Sequence, residues 1–139
     1  MLRTALVAVV AALALSACGG STAPAGEVVE NWVEALTTGS DEDAAAFFVD
    51  EPIIVQGFLP TLPKTKQGVV SWHAKLDCGG EITGMRVDGR RVSATFALAD
   101  RVRYQCPAPG YLSTVDFILE DGLIKVWSQA LPGTIVESK

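Results

Sequence analysis

The chain has 139 residues, 49% of them hydrophobic, with 11 Lys and Arg set against 16 Asp and Glu for a net charge of −5. That length holds one hydrophobic core and leaves no room for a second domain. An acidic chain with no basic stripe also lacks the electrostatic footprint of a nucleic-acid binder, so nucleic acid is excluded as a partner.

The N-terminus reads as an export signal: Arg3, an apolar run from Ala5 to Leu15, then the small residues Ser16 and Ala17 before Cys18. The apolar run is well short of the ~20 residues that a membrane-spanning helix needs. Leu15-Ser16-Ala17-Cys18 resembles the lipobox of bacterial lipoproteins, which implies cleavage before Cys18 and acylation of that cysteine. The expected organisation is therefore a signal peptide over residues 1–17, a flexible Gly, Ser and Pro tether over 18–26, and one domain over 27–139. The expected location is the outer face of the bacterial plasma membrane in the cell envelope, held there by the lipid anchor.

From Glu27 the pattern turns helical, with Val29, Trp32, Val33 and Leu36 recurring at i, i+3, i+4 and i+7. Ser40 with Asp43 three residues later is a capping-box start, and the acidic turn Asp41-Glu42-Asp43 suits the positive end of a helix dipole. This second helix is expected to carry Ala44 to Phe48 and to stop before Pro52. Ile53, Ile54 and Val55 form a short β-prone run, followed by a loop around Gly57, Pro60 and Pro63. A third helix is predicted over Lys66 to Leu76 with Val69, Trp72, His73 and Leu76 on its apolar stripe.

Beyond Gly79 the sequence reads as antiparallel sheet, with Asp88-Gly89 and Asp121-Gly122 as two-residue hairpin turns. Those turns set Met85 beside Val92, and pair Leu119 with Ile124, Phe117 with Val126 and Val115 with Ser128. Val92, Ala94, Phe96 and Leu98 continue that apolar face. The other face carries Asp116, Lys125, Gln129, Trp127 and Ile118, with Asp116 opposite Trp127. Asp100 is expected to make a strand-end salt bridge with its arginine neighbours.

In an exported chain Cys78 and Cys106 are the two cysteines left, and an oxidising compartment favours their disulfide. Neither has a companion histidine at zinc-ligand spacing, and no metal or other cofactor is expected.

The segments VENWVEALTTGSDEDAAAFFVDEPIIVQG, GVVSWHAKL and VDFILEDGLIKVWSQAL, in this order, resemble the NTF2-like or SnoaL-like superfamily, which includes ketosteroid isomerase. The resemblance implies an α+β cone: three N-terminal helices packed on the concave face of a strongly bent antiparallel sheet, enclosing a pocket open at one end. Against the ketosteroid isomerase pattern, Trp32 takes the place of the tyrosine that donates to the substrate oxyanion. Gln56 stands at the general-base aspartate, and an amide is no base near neutral pH. His73 replaces a pocket tyrosine, and Asp116 is the match for the oxyanion-hole aspartate, although strand parity turns it to the outer face.

The expected ligand-binding set is Trp32, Gln56, Trp72, His73, Phe96, Val115, Phe117 and Ser128, with no catalytic residue. A lone inward histidine is most simply a hydrogen-bonded core residue, the alternatives being a polar pocket contact or a general base. Three functions follow in order: a membrane-tethered pocket for an apolar or amphipathic small molecule, a protein-interaction or homodimerisation module using the outer sheet face, and a SnoaL-like isomerase or cyclase.

Overall fold

The structure, a computed structural model, describes residues 23–129; the signal, Cys18 and most of the tether lie outside the described residues. Three helices and six strands follow in the order α1 (Ala25–Thr38), α2 (Asp41–Ala45), β1 (Phe48–Gln56), β2 (Leu59–Thr61), α3 (Lys66–Ala74), β3 (Gly79–Asp88), β4 (Arg91–Ala99), β5 (Leu112–Glu120) and β6 (Leu123–Gln129). The strands form a single sheet ordered β2-β1-β6-β5-β4-β3.

The stripe of α1 is buried as its spacing dictates: Val28, Val29, Trp32, Val33 and Leu36 all face the sheet. Helix α1 starts at Ala25, two residues inside the expected tether. The Ser40 capping box is present, with the Ser40 hydroxyl accepting from Asp43 N and an Asp43 carboxylate oxygen accepting from Ser40 N. These bonds from Ser40 hold the Asp43 carboxyl below its ordinary pKa.

Helix α2 is shorter than expected and ends at Ala45. Phe48, expected in that helix, begins a nine-residue strand that runs through Pro52. Pro52 is tolerated because the register of β1 against β6 shifts between Phe48 and Ile53, so the missing N–H falls in a bulge. The predicted loop after it contains the short edge strand β2, antiparallel to β1.

The sheet is not wholly antiparallel. The first long strand, β1, lies next to the last, β6, and the two run parallel. The apolar face is covered by α1 and α3, while α2 packs chiefly on those two helices. Helix α3 ends at Ala74, two residues before the predicted end.

Two registers differ from expectation, with opposite consequences. The first hairpin turns at Gly89-Arg90, with Gly89 at φ +57, so Met85 pairs with Ala94 in place of Val92. Glycine at the first central position suits a type II′ turn. From Asp88 to Gly84 this displacement moves each partner by two residues, and a shift of two preserves the faces: Val92 and Ala94 are buried, as is Phe96 beyond the bulge at Thr83.

The second hairpin does turn at Asp121-Gly122, both with positive φ, and Leu119 does pair with Ile124. A bulge then takes up Lys125, so Ile118 pairs with Val126, Phe117 with Trp127, Asp116 with Ser128 and Val115 with Gln129. A shift of one reverses every face beyond it. Trp127, expected outside, is only 4% exposed and part of the core. Ser128, expected inside, lies outside beside Asp116.

Candidate functional site

Helix α1, the end of α3 and the inner face of the sheet enclose a partly open cavity of about 260 Å³. Trp32 and Leu36 reach it from α1, Phe96 and Leu98 from β4, Ser113 and Val115 from β5, and Trp127 and Gln129 from β6. Gln56, exposed at the end of β1, lies at its rim. Lys75 and Asp77 line its edge, and both are exposed. Sheet register explains the grouping, since Gln56, Gln129 and Val115 lie side by side on three adjacent strands.

Of the eight expected ligand-binding residues, Trp32, Gln56, Phe96 and Val115 line this cavity. Trp72, His73 and Phe117 are buried in the core and do not line it. Ser128 faces away, in an outer groove of the sheet with Arg86, Asp116, Ile118 and Val126. Gln129 and Trp127 occupy the wall that Ser128 was expected to share, and alternation alone could not reveal this because the bulge at Lys125 intervenes.

His73 is fully buried and both its ring nitrogens are engaged. Nδ1–H donates to Val69 O at 2.8 Å, and Nε2 accepts from Trp32 Nε1 at 3.0 Å. An indole N–H can only donate, so Nε2 must carry a lone pair and the proton sits on Nδ1. Phe48, Trp72 and Trp32 surround the ring edge-to-face or nearly so, with centroids at 5.0, 4.8 and 6.3 Å. Burial pushes the imidazole pKa down to about 4; the Val69 bond works against this, and the nearby Arg101 charge adds to it. A neutral histidine with both nitrogens committed fastens α3 to α1 and has no lone pair left to accept a proton from a ligand.

The same bond commits Trp32. Its ring faces the cavity while its N–H points to His73, so the residue at the oxyanion-donor position has no donor to offer there. Trp127 differs: its Nε1 is buried and finds no acceptor among the described residues. Gln129 Nε2 donates to Ser113 Oγ at 2.7 Å, leaving the Gln129 carbonyl and the Ser113 hydroxyl hydrogen as neutral polar groups.

Arg101 holds this end of the molecule together. Its guanidinium is almost fully buried; Nε donates to Leu36 O at 2.9 Å, Nη1 to His73 O and Leu76 O at 2.8 and 2.7 Å, and Nη2 to Asp41 Oδ1 at 2.6 Å. One cation thus caps the C-terminal ends of α1 and α3, where the helix dipole favours positive charge, and pairs with the first turn of α2. The sequence marked Arg101 only as a strand-end neighbour. Asp100 makes no salt bridge among the described residues; its carboxylate accepts from Cys106 N at 2.8 Å. Cys106 is disulfide-bonded to Cys78, and Cys78 lines the cavity. No group of His, Cys, Asp and Glu able to hold a metal occurs among the described residues.

Comparison with solved structures establishes the fold. An NTF2-like protein of unknown function from Cytophaga hutchinsonii superposes with a TM-score of 0.62 at 11% identity, over 80% of this chain and 92% of that one. A protein with a ketosteroid isomerase-like fold from Catenulispora acidiphila, solved in complex with trimethylamine, gives 0.57 at 16% identity, over 76% and 85%. A cystatin-fold protein from Novosphingobium aromaticivorans gives 0.58 at 12% identity, over 77% and 97%. No family model and no curated protein matches the sequence. The chain has the NTF2-like α+β fold, with a curled six-stranded sheet.

Proposed function

We propose that this is an exported lipoprotein, anchored through Cys18, whose NTF2-like domain binds a small apolar molecule in its cavity without transforming it. The observation that carries the reading is the cavity wall. Trp32, Phe96, Val115 and Trp127 give it apolar surface, and Gln56, Ser113 and Gln129 give it a few neutral polar groups. That mixture is typical of small-molecule sites, and at about 260 Å³ the cavity lies just under the usual ~300–1,000 Å³ range. Gln56, at the rim, stands where the isomerase pattern has a base, and the ionisable side chains of the lining, Lys75 and Asp77, are exposed at its edge. Proton abstraction in the depth of the cavity therefore has no acceptor among the described residues.

Native mass spectrometry of protein taken from its own envelope should show a retained small molecule, and Val115→Trp, which fills the cavity, should lose it. An unliganded wild type that also binds no apolar probe would refute the reading. Fatty-acid labelling of the wild type and not of Cys18→Ala tests the anchor separately; equal labelling would end that part.

A second reading, attachment to a protein partner or to a second copy, is favoured by one observation. Phe58, Leu59, Tyr111 and Leu112 are largely exposed, at the end of the strands where Gln56, Ser113 and Gln129 sit. A concentration-independent monomer that captures nothing in the envelope would count against it.

A further inference from the structure

We infer that the apolar rim at the strand ends around Gln56, Ser113 and Gln129 is a docking surface for a segment of this same chain, residues 130–136, which extends β6 and closes the mouth of the cavity. Four large apolar side chains stand in the open there: Phe58 is 87% exposed, Leu59 78%, Tyr111 72% and Leu112 68%. They flank one gap. Strand β5 begins at Leu112, but its pairing with β6 begins only at Val115, opposite Gln129. Leu112, Ser113 and Thr114 thus have no partner on the β6 side among the described residues, and an open strand edge of this kind is a template for further pairing. On the other flank the turn at Gly57-Phe58 follows directly on Gln56, the parallel partner of Gln129.

The sequence that leaves Gln129 suits this gap: it reads Ala-Leu-Pro-Gly-Thr-Ile-Val. Carrying the β5–β6 register forward sets Ala130 opposite Thr114 and Leu131 opposite Ser113. By alternation Leu131 shares its face with Trp127 and Gln129, which line the cavity, so its side chain comes over the mouth. Pro132 has no N–H with which to continue the ladder, and Pro-Gly is the central pair of a type II turn, so the chain reverses there. The β-branched pair Ile135-Val136 is thereby carried back across the rim toward Phe58 and Leu59. Apolar surface on both sides leaves water together. A segment joined to the chain at the edge of the gap has an effective concentration there in the millimolar range, which a partner from outside must exceed to displace it.

The test reads contacts in the full chain and exposure in a chain that lacks the segment, both with Cys18→Ala so that no acyl chain interferes. In nuclear Overhauser spectra of the full chain, Leu131 methyl protons should contact Ser113, and methyl protons of Ile135 or Val136 should contact the Phe58 ring. A chain stopped after Gln129 should bind the apolar dye anilinonaphthalene sulfonate about tenfold more tightly, because the rim and the mouth are then uncovered. Residues 130–139 carry one glutamate and one lysine, so the net charge facing the anionic dye is the same in both chains. The contacts in the full chain carry the test if the shortened one fails to fold. Absence of either contact, or an unchanged dye affinity in a folded shortened chain, would overturn the inference and return the rim to a partner from outside the chain. Contacts seen only between molecules, in isotope-filtered spectra of labelled and unlabelled protein mixed, would overturn it in favour of a second copy. None of these results touches the ligand-binding reading, which stands on the cavity wall and on retained ligand.

Discussion

Replacing Arg101 with Met keeps most of the side-chain volume and deletes the cation that joins three helices. The cost can be worked from its contacts. Leu36 O and Leu76 O lose the one donor found for each among the described residues, whereas His73 O still accepts from Leu76 N. The buried Leu36 carbonyl and the part-buried Leu76 carbonyl, left unpaired, cost about 1–2 kcal/mol each. The Asp41 carboxylate is 21% exposed, so it can partly rehydrate, and losing its pair adds about 1 kcal/mol. The sum, roughly 3–5 kcal/mol, matches the usual cost of breaking a buried ion pair by removing one partner. It is a large share of the 5–15 kcal/mol that holds an ordinary domain together.

Urea unfolding of the oxidised protein, followed by tryptophan fluorescence, should show this loss at an unchanged m-value. Thermal melts should fall by more than about 12 °C, at roughly 4 °C or more per kcal/mol. Arg101→Lys should lose about half as much, since one ammonium cannot reach both helix ends and Asp41. Asp41→Ala should cost clearly less than Arg101→Met, because the carbonyl caps survive it. A loss below about 1 kcal/mol in Arg101→Met would refute the reasoning. Equal losses in Arg101→Met and Asp41→Ala would show that the ion pair, and not the capping of α1 and α3, is what matters.

The buried neutral His73 makes stability depend on pH: with a folded value of about 4 against 6.5 for the free side chain, the unfolded chain binds more protons between those values. Its contribution is fully present above about pH 6.5 and is lost as pH falls toward 4, a slope amounting to roughly 3 kcal/mol that His73→Leu should abolish in urea titrations run across that window. Reduction of Cys78–Cys106, which closes a loop of sequence separation 28, should cost roughly 3–4 kcal/mol in the chain-entropy model and be readable as a lower urea midpoint; no change on reduction would contradict it. Gly79→Ala puts a Cβ 2.9 Å from Thr37 Cα, so α1 must move off the sheet beside the cavity, with a loss of about 1–3 kcal/mol in urea unfolding; a neutral effect would show that α1 shifts freely.

Much of the scaffold was legible because it rests on short-range chemistry. The apolar spacing of α1, the Ser40 capping box, the Asp121-Gly122 turn and the alternation Val92-Ala94-Phe96 each depend on residues within one turn or one strand, and each stands in the structure. The inward placement of His73 was legible for the same reason. Its partner was not, because the Trp32 bond spans 41 positions and nothing local announces it. Arg101 was hidden likewise: its hydrogen-bond partners lie 25 to 65 positions away, on three helices and just past the end of α3. Phe48 and Pro52 misled because a helix-like start and a proline stop suggested a longer α2, while pairing with β6 at the far end of the chain made them strand.

The cavity's character depends on the least legible feature of all. Under strict alternation from the Asp121-Gly122 turn, β6 would present Ile124, Val126 and Ser128 inward, a wall of aliphatic groups ending in a small hydroxyl. The single extra residue, Lys125, keeps Ile124 inside and exchanges the rest, so the wall becomes Trp127 and Gln129. The same seven residues of β6 thus encode two different cavities, and the bulge chooses between them. Burial argues for the choice, since the outward alternative would leave the large Trp127 ring on the surface and remove its edge-to-face packing with Trp32 and Trp72. The core's demand for an aromatic ring thereby brings Gln129 onto the cavity wall along with the Trp127 ring. In this fold member, packing and recognition are set by one backbone irregularity.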